Sequence, residues 1–199
     1  NLVVDGTTED ITLVNFFTSG ADFTVNNVST STMTLNVDAT VADYTTTGYT
    51  EVITAGNGRT ITGLSAADTI KIDTPENDNL ATYTRAAGST DLQITSNGKT
   101  VTLDDYFNGE KEVNAHIGTG TIFGHNLNVT INGDYTVDTN FTNSVTAISN
   151  ASITGMRATD SLVLNGGITQ ASSFTRVAGS NDLVIDGTSE DITLVNFFT

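Results

Sequence analysis

The chain has no cysteine and no tryptophan, one proline, two histidines, and seven Lys and Arg in 199 residues. Without cysteine, a fold stapled by disulfides is excluded, and so are thiolate metal sites. The shortage of bases leaves 23 Asp and Glu unbalanced, a net charge of −16 and a pI near 4.1. Such a surface repels phosphate backbones and anionic lipid heads, so nucleic acid and membrane surfaces are poor partners, whereas divalent cations are attracted. No apolar run approaches the ~20 residues of a membrane span, and no signal peptide is read at the start. The sequence opens on Asn1-Leu2-Val3-Val4, already strand-like, and reads as excised from something longer.

What is present is a 37% hydrophobic fraction, enough for a core. Threonine makes up roughly a fifth of the chain, several times ordinary usage. Threonine is β-branched and suits a strand with one face in water. Abundant Asn and Gly supply the positive-φ positions of tight turns. Short alternating runs recur every nine to eleven residues or so, which is all-β spacing, and no segment sustains a helical period.

Internal repeats organise the chain. NLVVDGTTEDITLVNFFT, residues 1–18, returns as DLVIDGTSEDITLVNFFT at 182–199, with a divergent copy, DLQITSNGKTVTLDDYFN, at 91–108. TYTRAAGSTDL (82–92) matches SFTRVAGSNDL (173–183), and ITGLSAADTIKI (61–72) matches ITGMRATDSLVL (153–164). The period is about 90 residues. Residues 1–18 are then the closing hairpin of a preceding unit, followed by unit A (19–108) and unit B (109–199). In the middle copy Asn97-Gly98 predicts a type I′ turn. That turn sets Ile94 opposite Val101 and Leu92 opposite Leu103; the last copy pairs Ile185 with Ile192 and Leu183 with Leu194. Each copy ends in an aromatic pair, Phe16-Phe17, Tyr106-Phe107 and Phe197-Phe198, expected to anchor one unit on the next.

FTRVAGSNDLVIDGTSEDITLVNFF resembles the haemolysin-type calcium-binding-related module found beside RTX repeats in secreted bacterial proteins. The likeness covers about 25 residues at the end of each unit and the 18 at the start. It implies secretion, a β-roll or solenoid neighbourhood, and roles in adhesins, surface layers and exoproteins. The RTX nonapeptide G-G-x-G-x-D is absent from the sequence, so the calcium turns of that family do not carry over.

Little else in the sequence carries chemistry. His116 and His125 occur in one unit, and Met33 stands at the position matching His125, so no shared function rests on them. Ser96-Asn-Gly-Lys-Thr100 lacks the first glycine of a phosphate loop and lies in a hairpin. The four Asn-x-Ser/Thr sequons, at Asn27, Asn128, Asn140 and Asn150, follow from composition. The bases are scattered, with no cleft for an acidic sugar, so an enzyme is not expected. Asp68 and Asp160 recur in matching turns, as do Asp91 and Asp182. Carboxylates with turn carbonyls can ligate calcium; an Asx turn, in which Asp accepts a backbone N–H, is the plainer reading. The acids Asp73, Glu76 and Asp78 are not repeated. Asp186, Glu190 and Asp191 at the last hairpin tip become Thr95, Lys99 and Thr100 in the middle copy, so folding cannot require a cation there. Arg85 and Arg176 are the repeated bases. Each is expected to form a structural ion pair with an acid, or to hold turn carbonyls, of its own unit.

The expected architecture is an all-β tandem-repeat β-solenoid or β-roll-like stack with a β-hairpin closing each unit; the alternative is a string of Ig-like sandwiches. The expected function is that of a structural or adhesive segment of a long extracellular bacterial surface protein or filament. Its partners would be neighbouring repeats, identical chains or cell-surface glycans. No cofactor is required, calcium being the candidate cation. The alternative is a calcium- or glycan-binding module of a secreted exoprotein.

Overall fold

The computed structural model describes residues 2–4, 9, 11–13, 24–25, 28–29, 34–72, 81–108, 114–117, 120–121, 123–165, 173–187 and 189–199. Among these residues every regular element is a strand. β1 (Leu2–Val4) and β2 (Ile11–Leu13) form one hairpin, and β3 (Thr24–Val25) and β4 (Val28–Ser29) another. Unit A continues with β5 (Thr34–Ala39), β6 (Tyr44–Thr45), β7 (Thr50–Ala55), β8 (Arg59–Thr62) and β9 (Thr69–Ile72). It ends on β10 (Thr82–Arg85), β11 (Leu92–Ser96) and β12 (Lys99–Leu103). Unit B holds β13 (Asn114–Ile117), β14 (Gly120–Thr121), β15 (Asn126–Ile131), β16 (Tyr135–Thr136) and β17 (Thr142–Ala147). After these come β18 (Ala151–Thr154), β19 (Ser161–Leu164), β20 (Ser173–Arg176), β21 (Leu183–Asp186) and β22 (Asp191–Val195).

The strands coil into two walls. On one wall Thr34 of β5 lies opposite Thr50 of β7, and Val52 of β7 opposite Thr69 of β9, all parallel. On the other, Tyr44 of β6 lies opposite Ile61 of β8, and Ile61 opposite Leu103 of β12. Unit B repeats the scheme, with Asn126 opposite Thr142, Ser144 opposite Ser161 and Tyr135 opposite Ile153. The chain thus returns to the same wall after 16 to 18 residues. This is a β-solenoid of about six turns. Parallel stacking excludes Ig-like sandwiches, whose sheets are antiparallel.

Alternation decides which side chains enter. In β15 Leu127, Val129 and Ile131 are buried, and in β7 Glu51, Ile53 and Ala55. Stacking then places like on like: Ala39 beside Ala55, Val129 beside Val145. A fully buried Ile or Leu contributes about 1.5–3 kcal/mol, so a few such ladders hold each coil.

The corners explain the abundance of Asp and Asn. A coil corner leaves backbone N–H groups unpaired, and a short polar side chain one coil away can accept them. Asp43 Oδ1 accepts Thr60 N–H at 2.9 Å, and its counterpart Asp134 accepts Ser152 N–H at 3.0 Å. Asn57 Oδ1 takes Thr100 N–H at 2.9 Å, and Asn150 takes that of Asp191.

Coils also approach too closely for a side chain at one corner. A Cβ on Gly56 would lie 2.3 Å from the Thr40 carbonyl oxygen and 2.7 Å from Thr40 Cα, backbone atoms of the adjacent coil. Gly56→Ala is therefore expected to cost about 1–3 kcal/mol in urea unfolding. Ile148, which holds the matching position in unit B and is partly exposed, should tolerate alanine within about 1 kcal/mol.

The hairpin registers agree with the pattern of the sequence. Ile94 faces Val101, Leu92 faces Leu103, Ile185 faces Ile192 and Leu183 faces Leu194. Asn97 (φ 51°) and Gly98 (φ 74°) take the two positive-φ positions of the turn. The hairpins do not merely close their unit. β12, β11 and β10 form an antiparallel meander leading away from β8, and β15 then adds to β10 in parallel. The result is one eight-stranded sheet in the order β19-β17-β15-β10-β11-β12-β8-β6. β13, assigned by the repeat to unit B, stacks on β9 of unit A.

Candidate functional site at the unit junction

The contact between β10 and β15 joins the units without a linker. Tyr83 lies opposite Leu127, Thr84 opposite Asn128 and Arg85 opposite Val129. Around this ladder the rings of both units converge on Phe141, which is 1% exposed. Its centroid lies 6.1 Å from that of Tyr83, 6.5 Å from Tyr106, and 6.4 Å from both Phe107 and Phe123. His125 packs on Tyr83 at 5.3 Å. Edge-to-face ring pairs add about 0.5–1.5 kcal/mol each beyond the area they bury.

The turn that aims the aromatic pair is built by Asp91 and Asp182. Asp91 Oδ1 accepts the N–H of Asp105 at 3.0 Å, and Asp182 Oδ1 that of Asn196 at 2.8 Å. Asp105 and Asn196 both have φ 55°, a left-handed conformation that Asp and Asn tolerate. The next residues are Tyr106-Phe107 and Phe197-Phe198. The Asn196 N–H and the Ser180 hydroxyl hold the Asp182 carboxyl below the usual range.

Among the described residues, Arg85 and Arg176 each hold a turn carbonyl of their own unit, one of the two arrangements expected for them, and stack on rings. Arg85 Nε donates to Ser89 O at 2.8 Å, and its guanidinium lies over Phe107 (4.7 Å) and Tyr135 (5.4 Å), one ring from each unit. Arg176 Nε donates to Ser180 O at 3.1 Å and Nη2 to Asn181 Oδ1 at 3.2 Å, over Phe198 at 4.6 Å. A flat guanidinium can stack and donate in its plane at once, which a carboxylate partner alone would not exploit. Burial raises the Tyr135 hydroxyl pKa, partly offset by the Arg85 charge.

Asp68 and Asp160 likewise serve the backbone. Asp68 accepts Glu51 N–H (3.0 Å), Ser65 N–H (2.9 Å) and the Ser65 hydroxyl (3.0 Å). Asp160 accepts Asn143 N–H (2.7 Å), Arg157 N–H (2.8 Å) and Arg157 Nε (3.1 Å). The four Asp positions read as candidate calcium ligands thus each cap a backbone N–H. Among the described residues, no three His, Asp or Glu side chains gather as a metal site.

The two units treat this buried corner differently. In unit B, Arg157 also reaches Thr139 O (2.9 Å) and Phe141 O, and Asn143 donates to Asp138 O at 2.8 Å. In unit A the matching residues are Ser65 and Glu51. Glu51 Oε1 accepts from the Tyr44 hydroxyl (3.1 Å), Thr47 N–H (3.0 Å) and the Thr47 hydroxyl. Burial first, then the Glu51 carboxylate, push the Tyr44 hydroxyl up to about 12.

No protein-family model matches the sequence, and no curated protein matches it. The resemblance to the RTX-associated module rests on the residues that carry it.

Of the junction aromatics expected from the repeat, Tyr106 and Phe107 lie in the cluster, Phe197 and Phe198 are exposed, and Phe16 and Phe17 fall outside the described residues. Tyr83, Phe141 and Arg157 were not singled out from sequence. Tyr83 had a signal, an aromatic two residues before each repeated Arg. Phe141 had the same kind of signal, an aromatic at the matching position, Tyr49; Arg157 had none, since its counterpart is Ser65.

Proposed function

We propose that the chain is a load-bearing, non-enzymatic repeat segment of a long extracellular bacterial surface protein or filament, such as an adhesin, a surface layer or a biofilm matrix component. The observation that carries this reading is the eight-stranded sheet that crosses from unit A to unit B. Stacked repeats joined by their own strands form a stiff rod without separate linkers. The acidic surface and the near-identical hairpins support a protein selected for length and solubility, and the resemblance to secreted modules supports an extracellular place.

Single-molecule stretching of the chain by its two ends tests the mechanical reading. Units A and B are expected to give way together, because the β10–β15 ladder and the Phe141 cluster load both. Parting of two intact units at a force well below their unfolding would refute it. The calcium-module alternative is tested by melting curves. Calcium and chelator are expected to move the midpoint by no more than about 4 °C, roughly 1–2 kcal/mol at this length. Loss of the fold in chelator would favour the alternative.

A further inference from the structure

The two units fill the same buried corner with different charges. In unit B one carboxylate, Asp160, is matched by one base, Arg157, whose Nε lies 3.1 Å from Asp160 Oδ2. In unit A the counterparts are Asp68, 2% exposed, and Ser65, which brings an N–H and a hydroxyl but no charge. Unit A also places a second carboxylate there: Glu51 is fully buried where unit B has the neutral Asn143. The two residues hold the same point of the coil, since Asp68 accepts Glu51 N–H as Asp160 accepts Asn143 N–H. Among the described residues no base pairs with Glu51 or Asp68. Two carboxylates buried together without a base are strongly unfavourable.

The second carboxylate oxygen of Glu51 shows where a positive charge belongs. In unit B Asn143 Oδ1 accepts the Tyr135 hydroxyl at 2.9 Å, while Nδ2 faces acceptors: Asp138 O at 2.8 Å, Phe141 O at 3.2 Å and Asp160 Oδ1 at 3.5 Å. In unit A Glu51 Oε1 takes the Tyr44 hydroxyl, together with the N–H and hydroxyl of Thr47. Oε2 then corresponds to the amide nitrogen, an acceptor where unit B has a donor. It is buried and has no hydrogen-bond partner. In unit B the adjoining space holds the Arg157 guanidinium, which donates to Phe141 O. The Arg157 side chain is 37% exposed, so this corner opens to solvent. Its counterpart Ser65 is short and exposed, and no side chain of unit A brings a cation to that position.

We infer that unit A holds one calcium ion in the place of the Arg157 guanidinium, bound by Glu51 Oε2, the Asp68 carboxylate and the Tyr49 carbonyl that matches Phe141 O. A divalent ion offsets both carboxylates, as Arg157 offsets the one in unit B. Carboxylate and carbonyl oxygens are ligands for hard cations. An irregular corner completed by water suits calcium, because magnesium demands a near-ideal octahedron. Asp160, Asp91 and Asp182 take no part. The site lies within one unit, so it stands or falls apart from the load-bearing reading.

Calcium titration of the full, chelator-stripped chain tests this, in about 0.15 M salt to screen the acidic surface. Calorimetry is expected to show one site per chain. Terbium in that site should luminesce on excitation of tyrosine, because the Tyr44 hydroxyl lies 3.1 Å from Glu51 Oε1, and calcium should displace it. Glu51→Gln keeps the shape and lets an amide donate as that of Asn143 does. It is expected to weaken calcium binding at least about tenfold, with an unchanged or higher melting midpoint in chelator. Any shift that calcium gives the wild-type midpoint should vanish in this variant. Ser65→Arg supplies the guanidinium of unit B and is expected to weaken calcium by at least about tenfold as well. Glu9→Gln, the same charge change at an exposed position, should leave affinity within about twofold. A wild-type chain that gives neither calcium heat nor sensitised emission overturns the inference; a gain of stability by Glu51→Gln would then mark a proton, not a metal, on Glu51. Equal weakening by Glu9→Gln, or tighter binding of magnesium than of calcium, overturns it too. If Glu51→Gln does not fold, Ser65→Arg decides, and unchanged calcium affinity there removes the site.

Discussion

Phe141→Ala is expected to destabilise the chain by about 3–5 kcal/mol, the usual cost of emptying a buried phenylalanine site. It is also expected to split a single unfolding transition into two. The ring stands at the centre of Tyr83, Tyr106, Phe107 and Phe123, contributed by both units. Its loss removes the apolar half of the junction and leaves the short β10–β15 ladder to couple A to B. The same change at Tyr49, the counterpart in unit A, should cost only about 1–2 kcal/mol, because Tyr49 is half-exposed. Urea denaturation followed by circular dichroism and tyrosine fluorescence measures both. A single transition in Phe141→Ala, shifted no more than in Tyr49→Ala, would show that the cluster does not couple the units.

Asp160→Ala is expected to cost about 3–5 kcal/mol, because a buried, multiply bonded carboxylate is removed while its donors stay. The Asp160 side chain is 0% exposed. Its loss strands the N–H groups of Asn143 and Arg157, and it leaves the Arg157 guanidinium with only the carbonyls of Thr139 and Phe141. Burial alone would raise the Asp160 carboxyl, but hydrogen bonds from the Arg157 side chain and from the Asn143 and Arg157 N–H groups outweigh it and hold the group below the usual range. A depressed folded-state pKa means that this stabilisation is complete above the unfolded value near 3.9 and is lost as pH falls below it. The acid limb of the wild-type stability profile should therefore be steeper below about pH 4 than that of Asp160→Ala. Parallel acid limbs for the two proteins would count against this account.

How much of this was legible beforehand follows from the range of the forces involved. The hairpin registers were readable because Asn97-Gly98 fixes a turn within two residues and the alternation of Leu and Ile fixes the faces on either side. Asp91 and Asp182 were visible as repeated, but not as caps for Asp105 and Asn196, since the acceptor and the left-handed residue are 14 residues apart. The stacking of Arg85 between Phe107 and Tyr135 was out of reach, because Tyr135 belongs to the next unit. Arg157 was hidden for a different reason: it compensates Asp160 in one unit, where Ser65 does the work beside Asp68 in the other, so repetition gave no signal.

By itself the sequence determined the class of structure. Threonine-rich alternation demands strands with one wet face, the period demands repeated units, and turn chemistry sets the hairpins. Only the tertiary structure decided that β10 leaves its own coil to receive the next unit. Tyr83 and Phe174 occupy the same place in the repeat with nearly the same ring, yet one is 1% and the other 67% exposed. Burial belongs to the neighbour as much as to the residue. Here the neighbour is a strand more than 40 residues further along the chain, Leu127 opposite Tyr83, whose arrival no local pattern encodes.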